Sequence, residues 1–218
     1  MPHTTERAEL IGFVLTHSML RNELPRLAAA LGGGPMTPSE EVVVGDQLRL
    51  VTDHLRRHHE EEDDFHWPLL VSRAPGAARL LAMLEAEHTE MDPLVDTARD
   101  RGAARHVRAA AMSRLSELVI SHLEVEDRSV VPLLIVHVTA EEQRASMARS
   151  RAKIPLPDEE RVMAMMLSAA DEDERCHMLA ALPAHVATDW SEQAAPALRE
   201  MHRLLAHVAA RHDQEEQS

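Results

Sequence analysis

Apolar residues recur along most of this chain at the spacing of one face of an α-helix. In the first predicted helix, about residues 5–31, this face consists of Leu10, Phe13, Val14, Leu20, Leu24 and Leu27. Turn residues then separate further predicted helices, which cover about residues 37–70, 77–100 and 103–138. Long helices joined by short loops predict an up-down-up-down four-helix bundle.

The remainder of the chain reads as shorter helical segments. They are predicted at about residues 140–153, 159–169, 172–182 and 184–212, with a proline-containing break at 154–158. We therefore divide the chain into a bundle domain, residues 1–153, and a helical C-terminal extension, residues 154–218. The extension is expected to pack on the bundle or on a second copy of the chain, as in a homodimer. Capping boxes are predicted where Thr37 precedes Glu40 and where Thr139 precedes Glu142.

The composition favours an all-α fold. Aromatic residues make up 2% of the chain, Tyr is absent, and the apolar residues are mainly Ala, Leu, Val and Met. No apolar run approaches the roughly 20 residues of a transmembrane helix, and the first residues lack the pattern of a secretory signal. The single cysteine, Cys176, excludes an internal disulfide. We therefore expect a cytoplasmic protein.

The charge balance narrows the classes of partner. A formal net charge of −14 disfavours binding to nucleic acid or to anionic membranes. The same surplus of carboxylates is compatible with cation binding, although most of it is expected to be a solvated surface.

A repeated pair of metal-capable residues is the strongest signal in the sequence. His58 and Glu62 lie four residues apart, which stacks them on one face of a helix. One such pair is common on helix surfaces, where it contributes only about 0.2–0.5 kcal/mol. The same pattern recurs at His122 and Glu126, however, and in both copies a proline follows six residues after the glutamate. The recurrence favours a site shared between two helices.

Two further histidines fall at matching heights in an antiparallel bundle. His17 and His88 lie about as far from the helix-joining turns as His58 and His122 do, so one histidine from each helix can meet in one layer. If both glutamates bridge, two ions would each hold two imidazoles and two carboxylate oxygens. Nitrogen and oxygen ligands with an open position suit iron or manganese better than a closed structural zinc site.

These residues resemble the hemerythrin-like, or HHE cation-binding, proteins over about residues 5–138. The resemblance implies a four-helix bundle enclosing two iron ions, joined by bridging carboxylates and an oxo or hydroxo group. Carried over residue by residue, it implies the ligands His17, His58, Glu62, His88, His122 and Glu126. Oxygen-carrying hemerythrins have a second His where this chain has Asp92, which argues against simple reversible O₂ carriage. The set of four His and two Glu is more similar to the iron-sensing domain of an F-box ubiquitin-ligase subunit.

Several neighbouring residues admit more than one interpretation. Asp92 could be a ligand, a partner of a ligand or an exposed acid, and His54 could line the bundle interior or be solvated. Asp63 and Asp127 would face solvent or orient a histidine. His59 points about 100° away from His58 and is predicted to lie outside the core.

The leading hypothesis is a di-iron protein that binds or reacts with O₂, NO or peroxide in oxygen or redox sensing or in detoxification. Whether it turns over peroxide in a catalase-like reaction is left open, and the absence of Tyr argues against a radical relay. A metal-dependent regulatory or interaction module for iron sensing or storage is the alternative. A large exposed apolar stripe at 159–182 would favour that alternative. A zinc protein with a structural role is a weaker hypothesis. A ferritin-like site is also a weaker hypothesis, because it needs Glu three residues before His, as at Glu85–His88 and Glu174–His177, whereas the repeated unit has His before Glu.

Overall fold

The computed structural model describes residues 10–181 and 188–215, and every regular element in these ranges is helical. The α-helices are α1 (Ile11–Gly32), α2 (Pro38–Glu61), α3 (Trp67–Arg73), α4 (Ala78–Arg99), α5 (Arg105–Ser129), α6 (Val131–His137), α7 (Ala140–Ala152), α8 (Leu156–Ala169), α9 (Glu172–Ala181) and α10 (Ala195–Glu215). None of the helices in the described ranges has the length and apolar character needed to cross a membrane. The predicted start of the last helix at Ala184 lies outside the described residues.

Local hydrogen bonding explains where two of the helices begin. The backbone N–H of Glu40 donates to the Thr37 hydroxyl, and the Glu40 carboxylate accepts from the Thr37 N–H at 2.8 Å. Thr139 and Glu142 form the same reciprocal pair at the start of α7. Each box satisfies backbone donors that a helix N-terminus leaves without a partner. Both predicted capping boxes are confirmed.

The four long helices contact one another in a closed order. Helix α1 contacts α2 and α5, and α4 contacts the same two helices. Their buried apolar faces form a first core cluster, which includes Leu20, Leu24, Leu48, Leu55, Leu115 and Leu123. The apolar face predicted for the first helix is therefore correct at its centre, while Phe13 and Val14 are half-buried.

Two predicted helices are interrupted at corresponding points of the sequence repeat. A π-helical turn, Glu62–His66, joins α2 to α3, and Val130 separates α5 from α6. Pro68 and Pro132 then stand in the first turns of α3 and α6, where a missing N–H costs no helical hydrogen bond. The prediction of one continuous helix to residue 138 is wrong, because Pro132 has no N–H with which to continue the hydrogen bonds of α5.

The short helices α3 and α6 pack together and build a second apolar cluster. It consists of Leu10, Trp67, Leu70, Leu81, Leu84, Val130, Leu134 and Val138. Along α2, α4 and α5, the residues between the two clusters are a layer of buried polar side chains. This layer is the candidate site.

The extension buries its apolar residues against its own chain. Helices α8 and α10 contact α1, and Val162, Met165, Leu198 and Leu205 join the first core cluster. A Cβ on Gly33 would overlap the backbone carbonyl oxygen of Val208, so glycine allows α10 to approach α1 closely. Within residues 159–180 the exposed side chains include no large apolar stripe. Association of two copies through the extension stays a prediction.

Candidate metal centre

All six side chains predicted as ligands are buried and lie in the polar layer between the two apolar clusters. Helix α1 contributes His17, α2 contributes His58, and the π-helical turn opens with Glu62. Helix α4 contributes His88, and α5 contributes His122 and Glu126. π-Helical turns of this kind occur often at functional sites.

One half of the layer is formed around His17 and His58. Their Nε2 atoms are 3.1 Å apart. Glu126 Oε2 lies 3.4 Å from His17 Nε2, and Glu62 Oε1 lies 3.3 Å from His58 Nε2. Four ligand-capable side chains thus meet in this half.

The other half is formed around His88 and His122. Their Nε2 atoms are also 3.1 Å apart. Glu62 Oε2 lies 3.6 Å from His88 Nε2, and Glu126 Oε1 lies 3.1 Å from His122 Nε2. Each glutamate therefore presents one oxygen to each half, which is the disposition of a carboxylate that can bridge two cations.

The ring orientations leave lone pairs, not protons, directed at the centre. Three imidazoles use Nδ1 as a donor to a carboxylate, and the pairs are His17–Asp127 at 2.7 Å, His88–Asp63 at 2.9 Å and His122–Glu87 at 2.8 Å. In the neutral rings this bond puts the proton on Nδ1 and the lone pair on Nε2. Carboxylates in this position orient metal-binding histidines and increase their basicity.

The centre fits a cation better than it fits hydrogen bonding among its own residues. No hydrogen-bond donor with suitable geometry reaches any carboxylate oxygen of Glu62 or Glu126 in the described chain. Buried carboxylates without donors are costly, and facing nitrogen lone pairs repel each other. A first-row metal at about 2.0–2.1 Å from its ligands separates neighbouring ligand atoms by about 3.0 Å in an octahedral site, close to the distances here.

Burial and the contacts within the layer shift the pKa values of its side chains. Burial raises the pKa of Glu62 well above its ordinary range, and the negative charge of Glu126 adds to this rise. Burial would also raise the pKa of Glu126, but its contacts with His122 outweigh burial and lower it. Burial lowers the pKa of His58 well below its usual value. Burial would also lower the pKa of His122, but its contacts with Glu126 and Glu87 outweigh burial and raise it. Ligation requires neutral imidazoles and ionised carboxylates, so a bound divalent cation would favour the ionised form of Glu62 that burial disfavours.

His59 is a member of the layer that the sequence prediction missed. It is 7% exposed and its ring stacks on His88, with centroids 3.9 Å apart and planes at 6°. Ligand-capable atoms of His59, Glu62, His88 and His122 lie within 4.8 Å of one another, as do those of His17, His58, Glu62 and Glu126. The prediction that His59 lies outside the core is wrong because α2 packs between two helices. His59, about 100° further around α2 than His58, therefore points towards α4, whereas His58 points towards α1.

The remaining candidates are resolved by their contacts. Asp92 is exposed and accepts a hydrogen bond from Arg56 at 2.9 Å, so the interpretation as an exposed acid is the one the contacts support. His54 is buried, with Nε2 3.2 Å from the Thr16 hydroxyl. Asp63 and Asp127 orient histidines, as one of the two interpretations had it. Glu87 has the same role, which its position next to His88 does not reveal.

Comparison with known proteins leads to one family. Neither the curated proteins nor the solved structures gave a match. The family model of the hemerythrin HHE cation-binding domain matches residues 13–134, which is more than half of the 218-residue chain. This range contains both halves of the polar layer and all of α1 except its first two residues. The chain therefore belongs to the hemerythrin HHE cation-binding domain family.

Proposed function

We propose that this chain is a cytoplasmic, non-haem di-iron protein that binds or reacts with O₂, NO or peroxide. In this proposal the four long helices form the up-down-up-down bundle typical of hemerythrin-like folds. The observation that carries the proposal is the pair of buried carboxylates, Glu62 and Glu126, each with one oxygen towards either pair of histidines. Two cations bridged by two carboxylates explain this arrangement without a buried unpaired charge.

The proposed ligands are His17, His58, Glu62, His88, His122 and Glu126. One ion would be held by His17 and His58, the other by His88 and His122, and both glutamates would serve both ions. His59 is an additional candidate for the second ion, although its parallel stacking on His88 requires the ring to tilt before it can ligate. Nitrogen and oxygen donors without a thiolate favour iron, with manganese or zinc as alternatives.

The chemistry follows from what the residues do around the ions. When bound, an iron pair supplies electrons and an exchangeable position for a small ligand. The hydrogen bonds from Nδ1 to Asp127, Asp63 and Glu87 hold the rings in one tautomer. The two apolar clusters exclude water from above and below the layer, which strengthens every charge interaction in it. No hydrogen-bond donor holds the carboxylate oxygens of Glu62 or Glu126 in the described chain, so either side chain would be free to reorient when a small ligand enters.

Metal analysis of protein expressed with added iron tests this proposal. We expect about two irons per chain and near-ultraviolet absorption typical of a bridged iron pair. Replacing His122 by Ala should abolish the absorption and lower the iron content, because His122 lies in the layer. His106→Ala is the matched control, since His106 is exposed on the same helix. A protein that holds no iron after reconstitution, or a single zinc ion, would refute the proposal.

Reaction with peroxide separates turnover from sensing. Continuing loss of peroxide, or O₂ uptake with a reductant, would make the protein an enzyme of detoxification. A single spectral change per iron pair without further loss would favour the alternative, a metal-dependent regulatory or interaction module. The described part of the extension does not favour that alternative, because its apolar residues are largely buried against the rest of the chain.

A further inference from the structure

A cavity of about 930 Å³ lies between α1, α2, α7 and α8, on one side of the polar layer. Some residues of its wall are buried, among them His58 and Val162, whereas others are exposed, among them Ala148 and Arg151. Within the described chain the cavity is therefore partly open to solvent at one end and reaches the protein interior at the other. A diatomic gas is far smaller than this volume and could pass along it.

His58 is the point at which the cavity meets the candidate metal centre. It lines the cavity, and it also belongs to the ligand group of His17 and the two glutamates. The ring of Phe13 lies at the same place, with its centroid 4.6 Å from that of His17 and 5.0 Å from that of His58. A small molecule that moves from the cavity towards these two imidazoles therefore passes Phe13.

The surroundings of His58 differ from those of the other three predicted histidine ligands. Behind each of the other rings stands a partly exposed carboxylate that accepts from Nδ1, and the pairs are His17–Asp127, His88–Asp63 and His122–Glu87. The polar contacts of His58 with described residues run through Nε2 instead, to His17 and Glu62. Removing water from an ionised carboxylate is costly. The side of the layer at His58, where the cavity replaces the carboxylate, is therefore the one that an apolar molecule can approach most easily.

Most of the wall is apolar, which suits an uncharged gas. Its apolar side chains include Ile11, Phe13, Met147, Ile154, Val162, Met163 and Met166. Transfer of an apolar solute from water to apolar surroundings is favourable, and apolar cavities in proteins bind xenon. We therefore expect a dissolved gas to enter the cavity from water.

The charged and titratable groups in the wall do not select for a charged guest. Besides the histidines at the inner end they are Glu61, Arg144, Arg151, Glu159 and His177. The Glu61 carboxylate accepts from Ser146 at 2.6 Å and from Arg149 at 2.7 Å, and Arg151 pairs with Glu159. Arg144 and His177 are exposed. Both signs of charge are present, and both carboxylates already have a cationic partner.

One side of the cavity is made by residues beyond the matched family domain. The family match ends at residue 134, and α7 and α8 follow it. Two contacts hold these helices on α2, since Ser146 of α7 donates to Glu61 and Arg49 pairs with Asp158 of α8 at 3.0 Å. The cavity is therefore a property of the residues that follow the domain, not of the domain alone.

We propose that a diatomic gas such as O₂ or NO reaches the proposed ion of His17 and His58 through this cavity, and that Phe13 controls the last step. The route to an ion rests on the di-iron function proposed above. The entry of an apolar gas into the cavity does not, because the wall of α7 and α8 needs no metal to form.

Xenon titration of the metal-free full chain, followed by xenon NMR, tests whether the cavity admits an apolar gas. We expect saturable binding, weakened about tenfold in Met163→Trp, because the indole fills the space that xenon occupies. Met83→Trp is the matched control, since Met83 is 46% exposed on α4 and lies outside the wall. Circular dichroism shows which variants are folded, and Ile154→Trp replaces Met163→Trp if the latter does not fold. Absence of saturable binding, or equal affinity in a folded filling variant and the control, would overturn the entry of gas.

Stopped-flow mixing of the reduced, iron-loaded protein with NO tests the route to the metal centre. Met163→Trp and Phe13→Trp should each slow the association of NO about tenfold, and Phe13→Ala should accelerate it roughly threefold, because these changes close or widen the path. Met83→Trp should react as the wild type does. Iron content and absorption are measured first in every variant, so that a change at the centre is not mistaken for a change in access.

The outcomes separate this proposal from the proposed function. An unchanged NO rate in a folded, iron-loaded filling variant would overturn the route and leave the di-iron function intact. Equal rates in the wild type and both Phe13 variants would overturn the control by Phe13. A chain that binds xenon but holds no iron would refute the proposed function and not the entry of gas.

Discussion

Replacing Asp63 by Asn tests whether the carboxylates behind the histidines contribute to metal binding. Both oxygens of Asp63 lie close to His88 Nδ1, at 2.9 and 3.1 Å, and its side chain is 31% exposed. The amide is nearly the same size as the carboxylate, so the substitution removes charge with little change in packing. The His88 ring then loses the charged acceptor that holds it in one tautomer and increases its basicity, although the amide oxygen can still accept a weaker hydrogen bond.

The magnitude follows from the position of this hydrogen bond. Loss of a partner behind a metal-binding histidine weakens metal affinity about 10- to 100-fold, or about 1.4–2.8 kcal/mol. His88 belongs to one of the two ligand groups, whereas His17 and His58 belong to the other. We therefore expect one weakened ion and one that is nearly unchanged.

Anaerobic competition for Fe²⁺ with a chromophoric chelator measures the effect. The wild type should release its two ions over a narrow range of chelator concentration, and Asp63→Asn should release one of them at about 10- to 100-fold less chelator. Asp64→Asn is the control, since it makes the same change of charge at the next residue, which is exposed. Equal affinities in the two variants would refute the role of Asp63, and an equal weakening of both ions would refute the division into two halves.

Three further predictions follow. Glu62→Ala should lower the metal content of both halves and His17→Ala that of one, as measured by metal analysis, because Glu62 belongs to both ligand groups; equal losses would count against the shared carboxylate. Gly33→Ala should lower the free energy of unfolding in urea by about 1–3 kcal/mol, because its Cβ meets the backbone of α10, whereas Gly32→Ala, with open space, should not. In the folded protein burial lowers the pKa of His54 to about 3, whereas in the unfolded chain its pKa is about 6.5. Below about pH 6.5 the unfolded chain therefore binds a proton that the folded protein does not, and the protein becomes less stable as the pH falls. His54→Leu should therefore reduce the loss of stability between pH 6 and pH 4.5 by about 1.4 kcal/mol per pH unit, and identical slopes in urea titrations would contradict a neutral His54.

Features that depend on near neighbours in the chain could be predicted from the sequence. The capping boxes at Thr37 and Thr139 involve residues three apart, so their formation follows from the local sequence. The pairs His58–Glu62 and His122–Glu126 follow from the helical repeat in the same way, and their recurrence pointed to a shared site. The sequence by itself thus determined an all-helical chain with two His–Glu units.

Features that depend on which helices are neighbours were decided by the tertiary structure. His59 lies in the layer because α2 packs against α1 on one side and against α4 on another. The position of His59 around the axis of α2 could not by itself reveal the contact with α4. Glu87 of α4 contacts His122 of α5, and the distance between them depends on how the two helices are rotated about their axes. The cavity lined by His58, Met147 and Val162 exists because α7 packs on α2 while α8 packs on both α1 and α2. Helix periodicity determines which residues share one face of a helix, whereas the packing of the helices determines which residues of other helices contact that face.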